Sequence, residues 1–240
     1  VHGTRNLEAW TLAGQAVKLL RHLTQHDNAK ARALYERAMA LDPKYPGAVE
    51  GLAWTHFLDA RFAWSAAREA SIIEAAALAE RAFALDRERA RTYSLLGSIA
   101  LITGDFDRAV GLGERAVELE ANDSDSAALL AFTLTYTGEP QRAVALTERA
   151  MRLSPYYPDW YGWLLGRASR LAGWHEKAIA VLGSRPTGGA GSLLPLVELA
   201  AAYGESGQLV KAREVAQGIL RMAPNFSVLA WTQTPPYADP

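Results

Sequence analysis

The sequence predicts an all-α protein, a solenoid of antiparallel helix pairs closed by a short C-terminal capping helix. Three observations predict it. One phrase recurs, as ERAMALDP (36–43), ERAFALDR (80–87), ERAVELEA (114–121) and ERAMRLSP (148–155). A second series places Gly104, Gly138, Gly173 and Gly207 at spacings of 34, 35 and 34. Small residues (Ala31, Ala75, Ala109, Ala143, Ala178 and Ala212) recur at 44, 34, 34, 35 and 34. Self-similarity at a fixed period of this length is the signature of a stacked repeat.

Each unit reads as helix, glycine turn, helix, stop. The glycines follow one apolar-periodic segment and precede another, where a helix ends in the left-handed conformation that glycine adopts without steric cost. Pro43, Pro155 and Pro224 fall just beyond the second segment, where proline stops a helix. Six units follow, at about 8–43, 47–87, 90–121, 124–155, 158–190 and 193–224, with a cap and tail at 225–240, all as one domain over 1–240. The cap is expected as a short helix near Ser227–Trp231, since an uncovered terminal repeat would expose its apolar face.

The departures carry information. The first unit has five extra residues between its small positions and the second has ten. The stretch LDARFAWSAAREASIIEAA must lengthen its helices or form a long connection. Arg87 and Ala121 stand where a terminal proline is usual, and SRPTGGAGS before the sixth unit reads as a loop.

A 34-residue helix–turn–helix period resembles the tetratricopeptide repeat, and the resemblance covers nearly the whole chain. It implies a right-handed superhelix. It also implies a small residue on each first helix where the two helices cross; Gly14, Ala53, Gly97, Ala131, Gly166 and Ala200 fit that place. In that family the first helices line a concave face that holds an extended peptide or a partner's helix. The register then puts Glu50, Trp54 and Phe57 on the face, with Arg91, Ser94 and Ser98, then Asp125, Phe132 and Tyr136, then Trp160, Trp163, Arg167 and Arg170.

The stretch PYYPDWYGW (155–163) sharpens the question, because five of its nine residues are aromatic. Trp160, Trp163, Arg167 and Arg170 are spaced for one helical face, and aromatic residues and arginine dominate interface hot spots. The same side chains could equally pack against the next repeat. Tyr156 and Tyr157 belong to the inter-unit turn and are expected to pack. Trp163 and Arg167 stay open between groove and core, and a one-residue shift in register would give Tyr161 the packing role.

A narrower resemblance rests on PDWYGWLLGRASRLAGWHEKAIAVL (158–182), on RNLEAWTLAGQAVKLL and on WTQTPPYADP. These are similar to tetratricopeptide regions C-terminal to bacterial class III adenylate/guanylate cyclase domains. Related arrays follow winged-helix domains of transcriptional regulators. The resemblance implies a regulatory or scaffolding role, with a protein or peptide partner or the chain's own upstream domain. A homodimerisation module and a small-ligand sensor, with the ligand among Trp54, Tyr136 and Trp163, stay open beside it. The opening Val-His-Gly reads as an added scar or an internal boundary, so a longer parent protein is expected.

The remaining chemistry is sparse. The 240 residues carry a formal net charge of -1, which favours neither nucleic acid nor an anionic membrane as a direct partner. There is no cysteine, so disulfides and thiolate metal sites are excluded. No apolar run approaches the roughly 18 residues of a membrane span, and a cytoplasmic, non-enzymatic protein without cofactor is expected. His22 and His26 lack a third metal ligand. TGGAGS lacks the Lys and Ser/Thr of a phosphate loop. NDSDS (122–126) lacks the ligand spacing of a calcium loop and reads instead as a helix cap at Asp123 or Ser124.

Overall fold

The computed structural model describes residues 3–184 and 193–228, and among them every regular element is a helix. The helices are α1 (Leu7–Leu20), α2 (Gln25–Leu41), α3 (Pro46–Arg61), α4 (Arg68–Leu85), α5 (Ala90–Ile102) and α6 (Phe106–Leu119). They continue as α7 (Ser124–Tyr136), α8 (Pro140–Leu153), α9 (Asp159–Leu171), α10 (His175–Gly183), α11 (Leu193–Glu205) and α12 (Leu209–Met222). Each odd-numbered helix packs on the even-numbered helix that follows it. The helix pairs gather into two compact units, Val1–Ala121 and Asn122–Pro240.

Gly104, Gly138, Gly173 and Gly207 all have φ between +77° and +84°. The residue after each donates its backbone N–H to a carbonyl five residues back, for example Asp105 to Ala100 O at 2.9 Å and Trp174 to Ser169 O at 2.8 Å. This is the wrap that satisfies the last carbonyls of a helix. The first two units lack the glycine, and Leu23 (φ 50°) and Ala63 (φ 53°) turn left-handed in its place. Ala63 is followed by the same wrap, Trp64 N–H to Asp59 O at 2.9 Å. The left-handed region costs an L-residue roughly 1–2 kcal/mol, against the 0.5–1 kcal/mol of chain entropy that glycine loses on folding. Ala63 is exposed and packs on little, so Ala63→Gly is expected to raise stability by about 0.5–1 kcal/mol. A urea midpoint that falls in that variant would refute the account.

The inserted residues are divided between helices and turn. Relative to α5 and α6, with 13 and 14 residues, α3 has 16 and α4 has 18. The remaining three lengthen the connection, which runs over 62–67 instead of 103–105. The five extra residues of the first unit split the same way among α1, α2 and the turn at 21–24.

Small residues mark the crossings. Ala31, Ala75, Ala109, Ala143 and Ala178 are fully buried, as are Ala53 and Ala131. A Cβ on Gly97 would stand 3.1 Å from Ala109 O, and one on Gly166 would stand 2.4 Å from Leu182 Cγ. Ala143→Leu is accordingly expected to overpack the α7–α8 crossing at a cost of about 1–3 kcal/mol, read from the melting transition. Gly14 departs from the expected role. It is exposed, and a Cβ there would meet nothing within 4 Å. The stripe of α1 that packs on its neighbours is Ala9, Leu12, Ala13 and Ala16, one residue round from Gly14. Ala200 and Ala212 are only half-buried, because no further helix pair stands against the last one among the described residues.

Asp123 caps α7, its carboxylate accepting from Ser126 N–H at 2.9 Å. The SRPTGGAGS loop beyond Ser184 and the cap beyond Val228 lie outside the described residues. No described helix is long and apolar enough to cross a membrane.

Candidate partner-binding face

In the compact unit Val1–Ala121, three of the side chains around the expected face meet at one carboxylate. Glu50 is fully buried on α3. Its Oε2 accepts from Arg89 Nε and, at 3.3 Å, from Thr92 Oγ1, while Oε1 pairs with Arg91 Nε at 3.1 Å. Burying a carboxylate costs several kcal/mol unless it is paired, and here two guanidinium groups at the start of α5 meet it. Trp54 and Phe57 follow on the same helix, both buried, with rings edge to face at 5.3 Å. Ser94 and Ser98 are buried on α5, and Ser98 Oγ donates to Ser94 O at 2.8 Å.

A cleft of about 130 Å³ opens beside Glu50. One wall is the face of α1 carrying Trp10, Gly14 and Val17, and Tyr35, Arg89 and Arg91 also line the cleft. Tyr35 lies over the backbone of α3 at Gly51, where a Cβ would fall 2.1 Å from its ring. Burial holds the Tyr35 phenol well above its ordinary pKa, so it stays a neutral donor.

In the compact unit Asn122–Pro240, α9 provides a comparable arrangement with the charges exchanged. Arg167 is 2% exposed and pairs through its Nη1 with Glu198 Oε1 of α11 at 2.6 Å. Arg170 Nε holds the other Glu198 oxygen at 2.8 Å, and its Nη1 reaches Glu205 at 2.6 Å. The Arg167 guanidinium also lies 4.6 Å from the centre of the Tyr136 ring and 5.8 Å from that of Trp163, within cation–π range. Phe132 packs on Tyr136 at 5.0 Å and on Trp163 at 6.0 Å.

These contacts decide the packing of the aromatic stretch. Tyr161 has no exposed surface, and its hydroxyl donates to Asp125 Oδ1 at 2.6 Å. Tyr157 stacks on it with ring planes 2° apart, and Trp160 meets it edge-on at 4.5 Å. Tyr156 does not pack. It is 98% exposed at the turn before α9, contrary to the sequence expectation. The residue three before the helix points outward while its neighbour Tyr157 turns in, an alternation that the composition of the stretch does not encode.

Of the residues placed on the face, Glu50, Trp54, Tyr136, Trp163 and Arg167 are buried within their own unit, and Phe132 and Trp160 are half-buried. Arg91 and Arg170 keep 34% and 15% of their side-chain surface. Trp54 belongs to the compact unit Val1–Ala121, and Tyr136 and Trp163 to Asn122–Pro240. Sequence reasoning missed Glu198, Arg89 and Tyr35. Glu198 had a signal, being the lone charge in LLPLVELAAAYG, where a helix that apolar must bury it beside a cation. His22 is engaged by Asp27 at 2.8 Å, and no group of three metal-ligating side chains occurs among the described residues.

No family model and no curated protein matches the chain. Solved structures do. A chain of the APC/C hetero-tetramer Cut9–Hcn1 superposes with a TM-score of 0.72 at 18% identity over 95% of this chain, which spans only 42% of the Cut9–Hcn1 chain. PilF of Pseudomonas aeruginosa superposes with a TM-score of 0.61 at 15% identity, over 94% of this chain and 96% of its own. TTC0263, a thermophilic TPR protein of Thermus thermophilus, gives 0.58 at 16% identity, over 88% of this chain and 99% of its own. Likeness at such low identity speaks to architecture: the chain has the all-α helical-repeat fold of tetratricopeptide proteins.

Proposed function

We propose that this chain is a non-catalytic protein–protein interaction module, the cytoplasmic regulatory region of a bacterial adenylate or guanylate cyclase. It holds a peptide or partner segment against the face carried by its first helices. The observation that carries this reading is the tetratricopeptide-type fold itself, shared with structures that include a hetero-tetrameric assembly. The cyclase context is supported by the stretch 158–182, and fold alone does not select it.

Within the face, the groups with surface to offer are Arg91, Phe132, Trp160 and Arg170. Glu50 pairs with Arg91, Tyr136 and Trp163 pack on Phe132, Arg167 shares Glu198 with Arg170, and Trp54 is buried against Phe57. Replacing Trp163 and Arg167 together would therefore confound binding with stability. Trp160→Ala combined with Arg91→Gln is the better probe.

The test is cross-linking mass spectrometry on the native protein, captured from its source cells with an antibody to this chain. Cross-links to one partner on α3, α5 and α9, lost in the Trp160→Ala/Arg91→Gln variant, are expected. Cyclase peptides in the same polypeptide would support the regulatory assignment, and winged-helix peptides would replace it with transcription control. Cross-links confined to the second helices would overturn the face. A doubled mass in light scattering, with intermolecular links between copies, would make it a dimerisation module.

A further inference from the structure

The cleft beside Glu50 is better equipped than a packing joint requires. We propose that it is a binding site for a small carboxylate with a compact apolar body, the size of a benzoate or a branched aliphatic acid. The proposal rests on the reading that the Glu50–Arg91 side of the first helices is a binding face, and it names the chemistry taken up there.

Charge comes first. The charged side chains lining the cleft are Glu50, Arg89 and Arg91, which leaves one net positive charge after the buried carboxylate is counted. Arg89 spends only its Nε on Glu50, and its two terminal nitrogens have no partner among the described residues. A guanidinium suits a carboxylate, which accepts two N–H donors at once. Tyr35 is a second, independent pointer. It lines the same cleft with 1% of its surface exposed, and its hydroxyl makes no hydrogen bond. Buried polar groups in folded proteins are normally satisfied, so an unmatched phenol at a cationic cleft marks a place for an acceptor.

Size and shape come next. The volume of about 130 Å³ is close to that of a cavity that accommodates a benzene ring. Ala13 and Val17 supply an apolar wall, and Trp10, 59% exposed, stands at the mouth. Gly14 completes the account. The helix crossing does not need it, since a Cβ there meets no neighbour, yet it lines the cleft. Its missing side chain keeps the cleft open.

The experiment uses the full chain and sodium benzoate, with benzyl alcohol and benzylammonium as controls, at constant ionic strength. Benzoate is expected to raise the melting temperature saturably, by several degrees near 100 times its dissociation constant, and the two controls are not. Gly14→Leu fills the cleft from an exposed helical position and should keep the fold, checked by its circular dichroism. It is expected to weaken benzoate at least tenfold. An equal response to all three probes, or an unchanged benzoate response in the leucine variant, would overturn the proposal. Two sources share this chemistry, a free acid and the carboxyl-terminal residue of a peptide. Acetyl-Gly-Gly-Phe displacing benzoate at lower concentration than free phenylacetate would assign the chain end, and the reverse order would assign the free acid. Failure with benzoate alongside retained cross-links on α3 and α5 would remove this ligand and leave the interaction reading standing.

Discussion

Glu198→Ala is expected to destabilise the protein by about 3–5 kcal/mol, the cost of removing one partner from a buried ion pair. The carboxylate is 2% exposed and balances two guanidinium groups, Arg167 and Arg170. Arg170 keeps Glu205 and some solvent when Glu198 is lost. Arg167 does not escape so easily. It is pinned under Tyr136 and Trp163, where water cannot replace the lost charge. The cost is therefore mostly that of keeping the Arg167 cation buried without the Glu198 charge, and it need not equal the net worth of the intact cluster. The two can be separated. Arg167→Met, Arg170→Leu and Glu198→Leu together remove the buried charges and leave only the part-exposed Glu205, and that variant is expected to recover most of the lost stability. Urea denaturation of the single and triple variants measures both. A single variant within about 1 kcal/mol of the parent would mean that Arg167 relaxes to solvent and that the α9–α11 joint is loose.

That cluster also shows what the sequence could and could not reveal. The repeat was legible because each unit must solve the same local problem. A helix has to end, turn left-handed and start again, and glycine is the cheapest residue for the turn. Where glycine is missing, at Leu23 and Ala63, the turn forms anyway, held by the packing of the helices on either side. Gly14 shows the limit of a composition argument, since a small residue near the right place reads as a crossing residue although it faces a cleft. The candidate face was harder still. Whether Arg167 meets a partner or the protein itself depends on a glutamate 31 residues further on. No pattern within α9 records that glutamate. A groove residue and a joint residue are adjacent positions on one helix, so a register uncertain by one residue cannot separate them.

The aromatic stretch 155–163 gives the sharpest separation of the two roles. Tyr161→Ala is expected to cost about 3–5 kcal/mol, as for other large buried aromatics cut back to alanine. The ring is wholly enclosed, stacked on Tyr157 and met edge-on by Trp160, so truncation leaves a void that the neighbouring rings cannot close. Its hydroxyl adds a polar component. Burial and the neighbouring Asp125 charge push the phenol far above its ordinary pKa, so it remains an O–H donor to that carboxylate. Tyr161→Phe keeps the ring and removes only this bond, and a smaller loss of about 1–3 kcal/mol is expected. Tyr156→Ala, five residues earlier in the same run, should stay within about 0.5 kcal/mol, because an almost fully exposed side chain has little burial to lose. The order Tyr161→Ala, Tyr161→Phe, Tyr156→Ala in falling cost, read from denaturant midpoints, would establish the stretch as a joint with one outward residue. A Tyr161→Ala variant as stable as Tyr156→Ala would mean that α9 does not seat on α7 through this ring, and the register of the fifth repeat would have to be redrawn.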